Sequence, residues 1–168
     1  MPTFLISVDG VHCRINEPRH PTQCKNKKFY SHKFDQAGLA YELGCSVFHN
    51  ALVWMNGPFP AGHNDGQIFS QKGLMDKIPA GKKAITDHGY KGSYEGKVSK
   101  SSSRDSEGLR RLKSRAKARQ ESFNSRIKNF AVLDNRFRHG IEKHKICFEA
   151  SCVIVQYQLE AGDGLFDV

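Results

Sequence analysis

Long apolar runs are missing from this chain. No stretch approaches the roughly 20 residues that a membrane-spanning helix needs, which excludes a helical membrane protein. The first residues, MPTFLISVDG, have no basic lead and only a short apolar run, so they do not read as a signal peptide. Cys-x-x-Cys pairs are absent too. The five cysteines, Cys13, Cys24, Cys45, Cys147 and Cys152, are odd in number and unpaired in pattern. That argues against a disulfide framework and for reduced, buried or idle thiols in a cytosolic or nuclear protein. A zinc site using His12 or His20 fits no known ligand spacing. Acidic charge is the scarcest commodity: 17 Asp and Glu stand against 26 Lys and Arg, a formal net charge of +9. Each carboxylate therefore invites the question of what it is for.

With 38% hydrophobic and 26% charged residues in 168, the composition suits one soluble globular domain with a real core. The positive charge is concentrated. Between Lys97 and Lys128 there are eleven Lys and Arg against Asp105, Glu107 and Glu121, so eight of the nine net charges sit in that segment. Charge gathered this way suits a polyanion, and without lipidation signals or an aromatic amphipathic face nucleic acid is favoured over membrane.

Within that segment, Arg110–Phe130 is expected to be a basic helix. Ala116, Phe123, Ile127 and Phe130 form one stripe at 3.6-residue periodicity. At about 100° per residue, Glu121 falls almost opposite that stripe, among Lys117, Ser114 and Lys128. Its plain reading is an i,i+4 pair with Lys117 on a solvated face. Its sharper reading is an acid reserved for a metal among cations that bind phosphates.

Upstream, Phe4–Val8 is an apolar β-prone run ending at Asp9-Gly10, with Val11, Cys13 and Ile15 alternating beyond a turn or bulge. Residues 16–28 read as a polar loop. Residues 29–34 and 37–53 read as two or three strands with a turn near Glu42-Leu43-Gly44. Residues 57–66, punctuated by Gly and Pro, read as a loop. Asp65 stands where it would cap a helix over Gln67–Ile78. Lys83–Thr86 is a brief strand running into Asp87. Residues 88–108 are expected to be a mobile basic loop, and a last helix over about 144–160 offers Ile146, Cys147, Val153, Ile154 and Tyr157 as apolar faces. Strands followed by helices on a shared sheet give an α/β mixed sheet.

Asp9 and Asp87 each follow a short apolar strand, and Glu121 rides a helix that must pack on the same sheet. Converging carboxylates repel unless a cation lies between them, and hard divalent ions with oxygen ligands, Mg²⁺ or Mn²⁺, answer that need. Beside a basic helix, the chemistry implied is in-line cleavage or transfer at a phosphodiester.

Four blocks carry a family resemblance: SVDGVH at 7–12, GHND at 62–65, TDHGY at 86–90 and ARQESFNSRIKNF at 118–130. Together they resemble DDE transposase-type nucleases, and within these the Harbinger (PIF)-like, IS5-like group. Asp9–His12 meets an Asp-Gly-(Thr/Val)-His pattern, Asp87–Tyr90 an Asp-x-Gly-Tyr pattern, and Glu121 with Lys128 a Glu-x6-Lys pattern. Gly62–Asp65 is one residue short of that group's Gly-x-x-x-Asp. Thirty-three residues separate Asp87 from Glu121.

The resemblance implies an RNase H-like mixed sheet flanked by helices over residues 1–168, DNA as substrate, a nuclear setting and two-metal catalysis. It implies Asp9, Asp87 and Glu121 as catalytic metal ligands, with Asp65 a fourth candidate. Lys113, Arg115, Lys117, Arg119 and Lys128 are then the expected DNA-binding cations. Lys117 stands where relatives carry Arg, keeping charge but losing the bidentate fork. Full-length relatives carry a helical DNA-binding segment before the first catalytic strand, so this chain is expected to be a catalytic piece relying on a separate DNA-binding partner. The alternative is a truncated, inactive, transposase-derived domain that only binds nucleic acid.

Overall fold

In a computed structural model of the chain, residues 3–18, 27–71, 73–90, 94 and 96–168 are described. The expected loop at 16–28 lies mostly outside them, as do His20 and Cys24.

Strand β1 (Phe4–Arg14) is the spine. On one edge it pairs antiparallel with β3 (Gln36–Ser46), and on the other parallel with the short β5 (Lys83–Ile85). Strand β6 (Val98–Ser99) pairs parallel with β5, while β2 (Tyr30–Ser31) and β4 (Leu52–Pro60) pair antiparallel with β3. The result is a mixed sheet of six strands in the order β2-β3-β1-β5-β6, with β4 also on β3.

Alternation along β1 sends Ile6 and Val8 to one face and Val11 and Cys13 to the other, as pleat geometry requires. On the first face, α1 (Asp65–Gln71) and α2 (Leu74–Lys77) cover the sheet with Phe69 and Leu74. On the second lie α3 (Glu107–Lys128), α4 (Ala131–Asp134) and α5 (Ile141–Glu160). Their Phe123, Ile127, Leu133, Phe148 and Val155 meet Leu39, Tyr41 and Leu43 of β3. Phe148 stacks on Tyr41 with ring centroids 3.6 Å apart. Each such buried side chain contributes about 1.5–3 kcal/mol. A mixed sheet with helices on both faces is the expected α/β architecture and is consistent with an RNase H-like fold. Among the described residues no helix is long and apolar enough to cross a membrane.

Several local expectations are corrected. β1 runs straight through Gly10, because β3 pairs with it without a break from Ile6 to Arg14. β3 likewise runs through Glu42-Leu43-Gly44 without turning. Gly44 is there for space, since a Cβ would strike Ile6 and come within 3.1 Å of Trp54. β4 extends to Pro60 rather than yielding to a loop, on a strand with β3 on one side, where proline costs no ladder bond. The helix expected over 67–78 is broken at Gly73, whose φ is +100°. The segment read as a mobile loop contributes β6 and a turn in which Asp105 accepts from the Ser102 amide at 2.9 Å. Residues 91–93 and 95 of that segment lie outside the described residues.

Of the apolar residues expected to pack the last helix, Cys147 lies against the core and the other four do not. Ile146, Val153, Ile154 and Tyr157 are exposed, while His144, Phe148, Ser151, Cys152, Val155 and Leu159 point inward. His144 is taken in by Tyr41, whose hydroxyl lies 2.8 Å from its Nδ1. Cys13, Cys45, Cys147 and Cys152 are free thiols, three of them buried.

Candidate active site

The register of the parallel pair sets the site. Ser7 of β1 lies opposite Ile85 of β5. Two residues further on, Asp9 and Asp87 come out side by side at the point where β5 stops and β1 continues with β3 alone. Asp87 turns back on itself, its Oδ1 accepting from the Gly89 amide at 2.8 Å.

Asp65 does not cap α1. Asn64 does: its Oδ1 accepts from the Gln67 amide at 2.8 Å, and Gln67 Oε1 returns the bond to the Asn64 amide at 3.2 Å. Asp65, the first residue of α1, is thereby free to hang over the sheet. A Cβ on Gly10 would collide with its Oδ1. A Cβ on Gly89 would lie 3.3 Å from its Oδ2 and 3.1 Å from Asp87 Oδ1. Asp65 thus spans from the residue beside Asp9 to the residue shared with Asp87, and the two glycines make room for it.

Glu121 approaches from the other face. The side of α3 packed on the sheet is wider than its apolar stripe, because Gln120 and Asn124 are also buried. Ser7 Oγ and the Cys45 amide donate to Gln120 Oε1 at 2.9 and 3.1 Å, and Gln120 Nε2 donates to Asn124 Oδ1 at 3.1 Å. Asn124 Nδ2 in turn donates to Asp9 Oδ2 at 2.8 Å. Including Asn124 brings the buried arc to about 60° from Glu121. Glu121 itself stays exposed and lines the same cleft as Asp9, of about 470 Å³, with Lys33 and Lys128 also on its walls.

Asp9 and Asp65 are perturbed by burial and by the acids around them. Burial raises the Asp9 carboxyl above its ordinary value, and Asp87 and Glu121 raise it further. Asp65 is pushed up to about 6 by burial, then by Asp9 and Asp87. Lys33 is the cation that partly offsets both. Glu42 of β3 is a fifth acid that the sequence did not disclose. Only 1% exposed and opposite Gly10, it accepts from Trp54 Nε1 at 2.9 Å, and burial pushes it up to about 7.

Clustered carboxylate oxygens suit a hard divalent cation by charge and ligand type. Asp9, Asp65, Asp87 and Glu121 are the residues that could hold one. As they stand, no three His, Cys, Asp or Glu side chains among the described residues converge into a preformed metal-holding group.

The expected DNA-binding cations divide into two sets. Lys113 is buried, with Nζ 2.8 Å from Asp105 and 2.7 Å from the Lys100 carbonyl. Arg119 is buried and donates to the carbonyls of Val47 and His49 and to Asn50 Oδ1. Arg115 bonds the Asp167 carbonyl and lies over Phe166. These three are committed to intramolecular partners. Lys117, bonded to Ser101 Oγ at 3.2 Å, and Lys128, on the wall of the same cleft as the acids, keep outward reach. The amide relay Gln120–Asn124 was missed because polar residues flanking an apolar stripe look solvated. Their i,i+4 spacing, on the shoulder facing Asp9, was the available signal.

No curated protein matches the chain closely enough to serve as a relative. A family model described as DDE superfamily endonuclease matches residues 8–156, a span that takes in Asp9, Asp65, Asp87 and Glu121. With that match over most of its length, the chain belongs to the DDE superfamily endonuclease family.

Proposed function

We propose that this chain is the catalytic domain of a Harbinger (PIF)-like, IS5-like transposase or endonuclease that cleaves DNA phosphodiester bonds with Mg²⁺ or Mn²⁺. Asp9, Asp87 and Glu121 would hold the metal, with Asp65 as a fourth ligand. The observation that carries the reading is the position of Asp65 against Gly10 and Gly89, the neighbours of Asp9 and Asp87, where burial and then those two acids raise its affinity for protons. Divalent ions in such a site activate a water and stabilise the leaving oxygen of an in-line displacement.

The chain's own residues prepare that chemistry. Asn124 orients Asp9 by its 2.8 Å bond, and the Gly89 amide orients Asp87. Because Asp9 and Asp65 are raised, a cation must displace protons to bind, so affinity rises with pH towards neutrality. Lys117 and Lys128 neutralise flanking phosphates. A nuclear setting and a separate DNA-binding protein that delivers the target site complete the proposal.

A second reading, a non-catalytic nucleic-acid-binding domain, is favoured by the absence of a preformed three-ligand group among the described residues. Nicking of supercoiled plasmid separates the two. The proposal expects nicking that requires Mn²⁺ or Mg²⁺ and disappears in Glu121→Gln. DNA binding with no nicking at any metal concentration would support the second reading.

A further inference from the structure

Helix α5 buries one face and leaves a second, ordered one to solvent. Lys143, Ile146, Ala150, Val153, Tyr157 and Glu160 follow one another at alternating spacings of three and four residues, and all six are exposed. At about 100° per residue they fall within an arc of roughly 100°, opposite the Phe148, Cys152 and Val155 side that meets the core. Ile146, Val153 and Tyr157 are 65%, 68% and 71% exposed. Apolar side chains scattered singly on a surface need no partner, but these three stand in one line over roughly 17 Å of helix. Alternation of three and four is the spacing by which one helix seats its side chains between those of another.

The ends of the stripe say what covers it. Lys143 stands in the first turn of α5, and Glu160 is its last residue. Each is at the wrong end for its own helix, whose macrodipole favours acids at the start and bases at the finish. Glu160 Oε1 accepts from Gln156 Nε2 at 2.8 Å, a bond within the helix that keeps the carboxylate at its surface. Lys145 and Glu149, beside the stripe, pair with each other at 3.7 Å. One base, an apolar middle and one acid leave the stripe neutral, so it suits neither a polyanion nor an anionic membrane. Reversed, the same stripe is complementary to itself. A second α5 laid antiparallel sets Lys143 against the partner's Glu160, Ile146 against the partner's Tyr157, and the small Ala150 against the partner's Val153.

We infer that two copies of this chain associate through α5, antiparallel about a two-fold axis that passes between Ala150 and Val153. The contact is isologous, since the same residues serve both copies. A seam of about five helical turns lies at the low end of specific interface sizes, so a dissociation constant of about 1–100 μM suits it. None of the residues lining the cleft of Asp9 and Glu121 lies on α5, so the helix pairs without covering either cleft.

The test is sedimentation equilibrium of the full chain in about 0.15 M KCl, at loadings up to roughly 300 μM. The wild type is expected to pass from monomer to dimer over that range. Val153→Glu sets a charge in the middle of the seam and is expected to leave a monomer throughout. Lys143→Glu and Glu160→Lys each turn both end contacts from attraction to repulsion, and each is expected to weaken association about tenfold. The double variant Lys143→Glu/Glu160→Lys restores opposite charges at both ends and is expected to recover the wild-type constant. All of these side chains are exposed, so the variants keep the fold. A wild type that stays monomeric overturns the inference and leaves the stripe to a different protein. A dimer indifferent to Val153→Glu forms through another surface and overturns it too. A double variant as weak as the single ones overturns the antiparallel arrangement. None of these outcomes bears on the cation site of the acids, which stands or falls separately.

Discussion

Asp65→Asn should make the metal-free protein more stable. The substitution keeps the shape of the side chain and removes one charge from a crowded site. The folded-state carboxyl is raised from 3.8 to about 6, first by burial and then by Asp9 and Asp87. Below pH 3.8 both folded and unfolded chains carry the proton, and Asp65 costs nothing. Between 3.8 and about 6 the folded state binds more protons, so stability falls as pH rises through that window. Above it the penalty is complete, about 3 kcal/mol for a shift of roughly two units at 1.4 kcal/mol each. The position at the start of α1 works the other way, since a helix N-terminus favours a negative charge by about 0.3–1 kcal/mol. The burial term is the larger. A net gain of about 2–3 kcal/mol is expected at pH 7, equivalent to roughly 4–12 °C for a chain of this size. Urea unfolding in chelator, followed through the single tryptophan, Trp54, measures it directly. The gain should vanish near pH 4 and shrink when Mn²⁺ is added, because the wild-type site binds the ion more tightly. A loss of stability at pH 7, or an equal gain at both pH values, would refute the electrostatic argument.

Two further outcomes follow from the packing of α3. Asn124→Ala removes the donor to Asp9 and the acceptor of Gln120, and should cost about 1.5–3 kcal/mol in urea unfolding. A change below about 0.5 kcal/mol would mean that the relay does not hold the helix to β1. Arg119→Ala takes the Arg119 donor from the buried Val47 carbonyl, while the His49 carbonyl keeps its bond from the Ala51 amide, and should cost about 1–3 kcal/mol. Its DNA affinity should keep the wild-type salt dependence, and a slope lowered by about one would return Arg119 to the phosphate-binding surface.

The acids were legible in the sequence because two of them follow short apolar strands and the third lies in a strongly periodic helix. What brings them together was not. The side-by-side placement of Asp9 and Asp87 depends on the Ser7–Ile85 register, a long-range pairing with no local signature. Asp65 read as a cap because Asp is a good one, yet Asn64 next door fills that role and frees the carboxylate. Glu42 was hidden by Gly44, which read as part of a turn although it serves Ile6 and Trp54. In α5 the long apolar side chains Ile146, Val153 and Tyr157 suggested the wrong face. The core prefers Phe148 on Tyr41 and takes in His144, whose Nδ1 pairs with the Tyr41 hydroxyl. The basic helix was read for its charge, but Arg119 is drawn inward by carbonyls that lie far away in sequence and Lys113 by Asp105 and the Lys100 carbonyl just upstream.

The central claim, that these acids form one cation site, is tested most directly by calorimetric titration of Mn²⁺ into the wild-type chain and into Asp9→Asn/Asp87→Asn. One site whose affinity falls at least tenfold in the double variant, and rises from pH 5 to pH 7 in the wild type, is the result the account predicts. Indistinguishable isotherms for the two proteins would contradict it.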